Sequence, residues 1–277
     1  MNTIGKAIWL VGACTVIVAK APAHAADASP WIADSHSAIR IISGSNSQGA
    51  ATLRAGIEIK LQPGWKTYWR YPGDAGVPPR FDFSGSENLK AAKVLYPAPR
   101  LLHDEDGNSI GYKDSVIFPV QVTPKQAGAP VKLQVKLDFA VCEKLCVPAQ
   151  ANAAFALAVG TSAEDATLSE AEARVPKKLT AAQAGLTARR VNAAAKPLVM
   201  VDLPAPGGAP IDLFVEGPTL EWALPIPKPA PGAPEDRRQF GFELDGLPPG
   251  VDPKGQFDLT FTVVQDGRAV EVTTHLD

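Results

Sequence analysis

Apolar and polar residues alternate with period two along much of this chain. In "TLRAGIEIKLQ", Leu53, Ile57, Ile59 and Leu61 share one face while Arg54, Glu58, Lys60 and Gln62 take the other. In "VKLQVKLDFAVC" the odd positions Val131, Leu133, Val135, Leu137, Phe139 and Val141 are apolar, and the even positions are Lys132, Gln134, Lys136, Asp138, Ala140 and Cys142. Both runs predict half-buried strands. Near the end, "FDLTFTVVQDGRAVEVTTHL" is two such runs around Asp266-Gly267, a pair that tolerates the positive φ of a type I′ turn and so predicts a hairpin. Many short runs of this kind, spaced by Pro and Gly, predict a mainly β chain built from sandwiches. Proline, 26 of 277 residues, further disfavours a helical bundle.

One segment breaks the pattern. "TSAEDATLSEAEARVPKKLTAAQAG", residues 161–185, is rich in Ala and Glu, opens on Thr and Ser as cap candidates and meets Pro176, which predicts a helical linker. The expected organisation is a β domain over 26–160, the linker over 161–185, and a second β-sandwich domain over 186–277. "PIPKPAPGAPED", 225–236, is too Pro-rich for a strand and reads as a surface loop of the second domain.

The first 25 residues read as a signal peptide: Lys6 supplies the positive region, Ala7 to Ala19 is an apolar run of 13 residues, and Ala23-His24-Ala25 is a cleavage signal. The mature protein is expected to begin at Ala26. No later run has the roughly 18 apolar residues that a membrane helix needs, so no transmembrane segment is expected after cleavage. A competing lipid attachment at Cys14, from Val11-Gly12-Ala13-Cys14, is the weaker reading. A net charge of −2 offers no basic field, and no nucleic acid is expected as a partner.

Three cysteines are present, and only Cys142 and Cys146 lie in the mature chain. Two are too few for a disulfide framework. If the alternation of the preceding strand continues, Cys142 emerges on the polar face, which predicts an accessible sulfur. Four residues of extended chain span roughly 13 Å, whereas a disulfide needs Cα atoms within about 7 Å, so the strand must turn at Cys142 for a bridge to close. Closing so short a ring constrains the unfolded chain by only about 2 kcal/mol, which makes it a poor staple. Structural zinc wants four ligands and the neighbourhood supplies two. Two thiolates suffice for copper(I), so a copper(I)-binding module stays open, as does a non-catalytic binding or assembly module with a structural bridge. "HDEDGN", 103–108, lacks the spacing of a calcium loop and reads as a polar turn. Trp65, Trp69 and Tyr71 fall on one side of an extended stretch and read as core.

"LQPGWKTYWRYPGDAGVPPRFDFSGSENL" (61–89), "YPAPRLL", "GYKDSVIFPVQV" and "VCEKLCVPA" together resemble the N-terminal periplasmic domain of the DsbD and ScsB thiol:disulfide interchange proteins, over roughly residues 35–160. The resemblance implies an immunoglobulin-like sandwich, no cofactor, and Cys142 and Cys146 as the redox pair. It implies two classes of partner: a membrane-embedded thiol reductase, expected here to be a separate protein, and thioredoxin-fold proteins of the periplasm. It also favours Cys146 as the sulfur that partners meet, as does Val147-Pro148, read as a turn that lifts the chain from the sheet. ScsB carries an association with copper stress. Lys144 favours a thiolate while Glu143 and Asp138 oppose it.

Overall fold

In a computed structural model the described residues are 27–277 except 74–75, 105–106, 158, 192–195, 206–209 and 235. The expected signal peptide with Cys14 and its cleavage site, Asp74 of the P-G-D stretch, and the middle of the 103–108 turn lie outside them. The chain is mainly β. The strands before the first helix are β1 (Ile32–Ala33), β2 (Ser37–Ser43), β3 (Leu53–Leu61), β4 (Lys66–Gly73), β5 (Arg80–Asp82), β6 (Leu89–Val94), β7 (Arg100–Asp104), β8 (Gly107–Lys113), β9 (Ser115–Pro124), β10 (Val131–Cys142) and β11 (Cys146–Leu157). After them come α1 (Asp165–Ala173), β12 (Lys177–Leu179), α2 (Ala181–Ala184), β13 (Thr187–Val191), β14 (Leu198–Pro204), β15 (Ile211–Glu216), β16 (Lys228–Ala230), β17 (Arg237–Glu243), β18 (Phe257–Gln265) and β19 (Arg268–Leu276). No helix among the described residues is long and apolar enough to cross a membrane.

Four sheets result. One has the order β1-β2-β3-β9-β6 and a second the order β11-β10-β4-β8-β7, with β5 added to β10. The odd residues of β10, Val131 to Val141, are buried with Ile39, Ile57, Ile59, Phe118 and Trp69 between these two sheets. The expected alternation therefore sets which face of β10 is core. Trp65 and Tyr71 pack against the same cluster, as their spacing predicts. The other sheets have the orders β12-β19-β18-β15 and β13-β14-β17-β16, with a core that includes Val199, Val201, Phe240, Leu259, Phe261 and Val272. The hairpin at Asp266-Gly267 is present, with φ of 50° and 72° as a type I′ turn requires.

The polar face of β3 is covered at Arg54 and Glu58, while Lys60 stays exposed. Glu58 is buried under an ion pair with Arg40 at 2.6 Å, and Arg54 forks to Asp165 and Glu172 of α1. The helix lies on this face because Gly44 and Gly56 leave room for the Leu168 side chain, which is fully buried. Leu168→Ala should therefore lower the unfolding free energy by about 2–4 kcal/mol, read by urea denaturation.

Two expectations for the linker and the loop are corrected. The helix has Glu164 at its N-cap position, with the Ser162 hydroxyl accepting from the Glu164 N–H at 3.1 Å, and it ends at Ala173, just before Pro176 as expected. The chain then pairs Lys177–Leu179 in parallel with β19 as strand β12, so residues 161–185 are only partly helical. The 225–236 stretch contains β16, which pairs with β17 as the last strand of its sheet. Pro229 is tolerated there because an edge strand needs only half its backbone donors.

Candidate functional site

Cys142 ends β10 and Cys146 begins β11, and the two are Cα partners in the antiparallel register that runs from Val131↔Leu157 to Cys142↔Cys146. Glu143, Lys144 and Leu145 form the turn between them and are exposed. A hairpin brings back the chain that an extended strand would carry away, and the Cα atoms stand 4.2 Å apart, within reach of a bridge. The disulfide between Cys142 and Cys146 is formed. The expectation that the strand must turn here is met, and Val147 and Pro148 continue in β11 instead of leaving the sheet.

The two sulfurs have opposite surroundings. Cys142 is 1% exposed, which overturns the expectation of an accessible sulfur at that position, while Cys146 is exposed. The parity itself holds. Cys142 and Ala140 lie on the face of β10 turned away from the main core, but Tyr68 of β4 covers them, and the three form a separate buried cluster. The register pairs Cys142 with Lys66 of β4, which places the two sulfurs and Tyr68 on one outer face. A Cβ on Gly76 would fall 2.7 Å from the Tyr68 ring, so the chain after β4 closes over that ring only because residue 76 is glycine.

The Tyr68 hydroxyl touches both sulfurs, at 2.8 Å from Cys142 Sγ and 3.0 Å from Cys146 Sγ. Lys66 is buried beside it, its Nζ 3.1 Å from Ser109 Oγ and 5.9 Å from the centre of the Tyr68 ring. The Tyr68 hydroxyl thus borders the sealed sulfur, and a hydrogen bond donated from it favours negative charge there once the bridge is open. Of the charges read from the sequence, Lys144 and Glu143 point to solvent in the turn. Asp138 stands beyond Ala140 on the outer face.

The sequence puts Trp65, Trp69 and Tyr71 on one side as core and gives Tyr68 no role. The structure divides them by parity, with Trp69 inward and Tyr68 outward. Lys66 was missed. Its position opposite Cys142 depends on strand pairing between segments about 75 residues apart, which no local pattern reveals. The exposed sulfur is flanked by exposed apolar side chains: Leu145 is 79% exposed and Val147 37%.

No curated protein matches the chain. Among solved structures, the crystal structure of the N-terminal periplasmic domain of ScsB from Proteus mirabilis is similar with a TM-score of 0.71 and 20% identity, covering 91% of this chain and 99% of that one. That likeness shows the fold. A structure of zebrafish RET cadherin-like domains 1 to 4, at 8% identity over 84% of this chain and 48% of that one, has a TM-score of 0.19 and carries no argument. The family model described as thiol:disulfide interchange protein DsbD, N-terminal, matches residues 40–158, from β2 through the cysteine hairpin to the end of β11. Residues 40–158 of this chain thus form a domain of the DsbD N-terminal family.

Proposed function

We propose that this protein is a periplasmic thiol:disulfide exchange protein whose Cys142–Cys146 pair alternates between disulfide and dithiol. It carries electrons from a membrane-embedded thiol reductase to thioredoxin-fold proteins of the same compartment. The observation that carries the proposal is the asymmetry of the pair: one sulfur exposed, the other sealed, and one hydroxyl in contact with both. An exchange reaction needs this division. The incoming thiolate attacks the reachable sulfur, and the sealed one leaves with the electron pair, where the Tyr68 hydroxyl donates to it. The sulfur atoms hold the electrons, and no cofactor takes part.

A structural role fits less well. The bridge joins two residues already held opposite each other by a ladder of twelve Cα pairs, so it adds little that the hairpin lacks. The family to which residues 40–158 belong is named for thiol:disulfide interchange, and the ScsB domain of the same fold is periplasmic. We further propose the division into a redox domain over 26–160, a connecting segment over 161–185 and a second β-sandwich domain over 186–277 that supports the first or docks a partner.

Glutathione-range reductants should open the bridge without unfolding the chain. Tyr68→Phe should slow that opening about tenfold, because a hydrogen bond to the departing thiolate contributes about 1.5 kcal/mol or more. Thiol titration over time, with circular dichroism on the same sample, tests this. A bridge that resists these reductants, or a fold lost on opening, rules the proposal out.

A further inference from the structure

We propose that the free edge of β11, beginning at Cys146, receives an extended segment of the thiol partner as an added strand, so that backbone hydrogen bonds hold the partner's sulfur against Cys146 Sγ. This rests on the exchange reading and says how the partner is recognised.

In the second sheet β11 is the terminal strand, twelve residues long, paired with β10 on one side and with no strand on the other among the described residues. Three observations fix which of its backbone groups face that open side. Directly opposed residues of an antiparallel pair stand about 5.5 Å apart when they exchange hydrogen bonds and about 4.5 Å when they do not. Cys142 and Cys146 stand 4.2 Å apart, so they are a non-bonded pair and their N–H and C=O groups point away from each other. The Ala140 carbonyl, of the same parity, accepts from Thr67 Oγ1 of β4, on the side away from β11. Pro148, opposite Ala140, has no N–H and can sit in the ladder only where none is required. The even residues of β11 therefore present their backbone outward: Cys146 and Gln150 with donor and acceptor, Pro148 between them with its carbonyl alone.

This juxtaposition is specific to the reactive end of the strand. Cys146, Val147, Pro148 and Gln150 are exposed, and Leu145 stands at the head of the edge. An extended segment laid along the edge puts a cysteine of its own beside Cys146, since opposed side chains on one face of a strand pair have Cβ atoms about 5 Å apart. Main-chain bonds supply affinity without dictating sequence, which suits a protein that must meet more than one thiol partner. The partner's thiolate then forms a bond to Cys146 Sγ while the Cys142–Cys146 bond breaks and its electron pair goes to Cys142 Sγ. A second thiol of the partner resolves the mixed disulfide, leaving the partner oxidised and this pair reduced. Running the same steps backwards delivers the two electrons.

The test uses the full mature chain in its oxidised form and a synthetic nonapeptide with one central cysteine flanked by Thr and Val. A twin of that peptide carries N-methyl groups on the residues two and four before the cysteine, whose N–H groups face the Pro148 and Gln150 carbonyls when the peptide pairs antiparallel. The unmodified peptide should open the bridge about tenfold faster than its twin, the effect of one or two hydrogen bonds. Gln150→Pro, which removes the outward N–H that would donate to a peptide carbonyl, should slow opening by the unmodified peptide about fivefold relative to opening by dithiothreitol. Equal rates for the two peptides on the unaltered chain would overturn the proposal whether or not the variant folds, as would a folded Gln150→Pro chain that the peptide opens as fast as the unaltered chain. Failure of dithiothreitol to open the bridge at all would instead defeat the exchange reading, and the docking proposal with it.

Discussion

Cys142→Ser is expected to accumulate mixed disulfides with thioredoxin-fold proteins of the periplasm, and Cys146→Ser is expected to form at least tenfold fewer. Exchange passes through a mixed disulfide that the second cysteine resolves, so removing the resolver leaves the complex trapped. Cys146 is exposed at the start of β11 beside Leu145, and Cys142 is 1% exposed beneath Tyr68. A partner sulfur approaching in line with the bridge meets Cys146 first. With Cys142 gone, the thiol left behind is the reachable one; with Cys146 gone, the remaining thiol stays under the tyrosine. Non-reducing gels, with the trapped proteins identified by mass spectrometry, read the outcome. Traps confined to Cys146→Ser would reverse the assignment of the two sulfurs.

The second large effect is expected at Arg70, away from the cysteines. Its guanidinium pairs with Glu216 at 2.7 Å and with Glu271 at 2.6 Å, joining β4 to β15 and β19, and it lies 4.4 Å from the centre of the Trp69 ring. Burial alone would weaken the charge on Arg70, but the two carboxylates more than offset it and hold its pKa well above the ordinary value. All three side chains are less than a quarter exposed. Arg70→Met would leave Glu216 facing the emptied site without that counter-charge and Glu271 with only the exposed Lys178 at 3.3 Å, and removing one partner of such a buried group costs about 3–5 kcal/mol. The variant should lose that much stability in urea denaturation, and adding Glu216→Gln should restore part of it. A loss below about 1 kcal/mol would mean that the carboxylates reach solvent once the arginine is gone.

How far the sequence could be read follows from which contacts are local. The parity of β10 was legible because six apolar residues occupy its odd positions, and the Asp266-Gly267 hairpin because only a narrow set of residues accepts positive φ at both places. The turn between the cysteines follows from chain geometry alone. The burial of Cys142 does not: it depends on Tyr68, brought over by β4, and on a glycine at residue 76 that lets the chain close on the ring. The same holds for Glu58, whose alternation marks a polar face that α1 and Arg40 then cover. Short strands were hidden for another reason. Lys177–Leu179 and Lys228–Ala230 are three residues each, too few to show a period, and the second carries a proline that only its edge position permits. The cysteine pair was visible as residue types and spacing, whereas its division into a sealed and an exposed sulfur exists only in the folded sheet.

The most direct test is the reduction potential of the Cys142–Cys146 pair, taken from equilibrium of the mature chain with defined thiol and disulfide buffers while circular dichroism follows the fold. A pair that carries electrons should titrate above about −300 mV with both forms folded. A potential below that value, where structural bridges lie, or a reduced form that unfolds, would contradict the account.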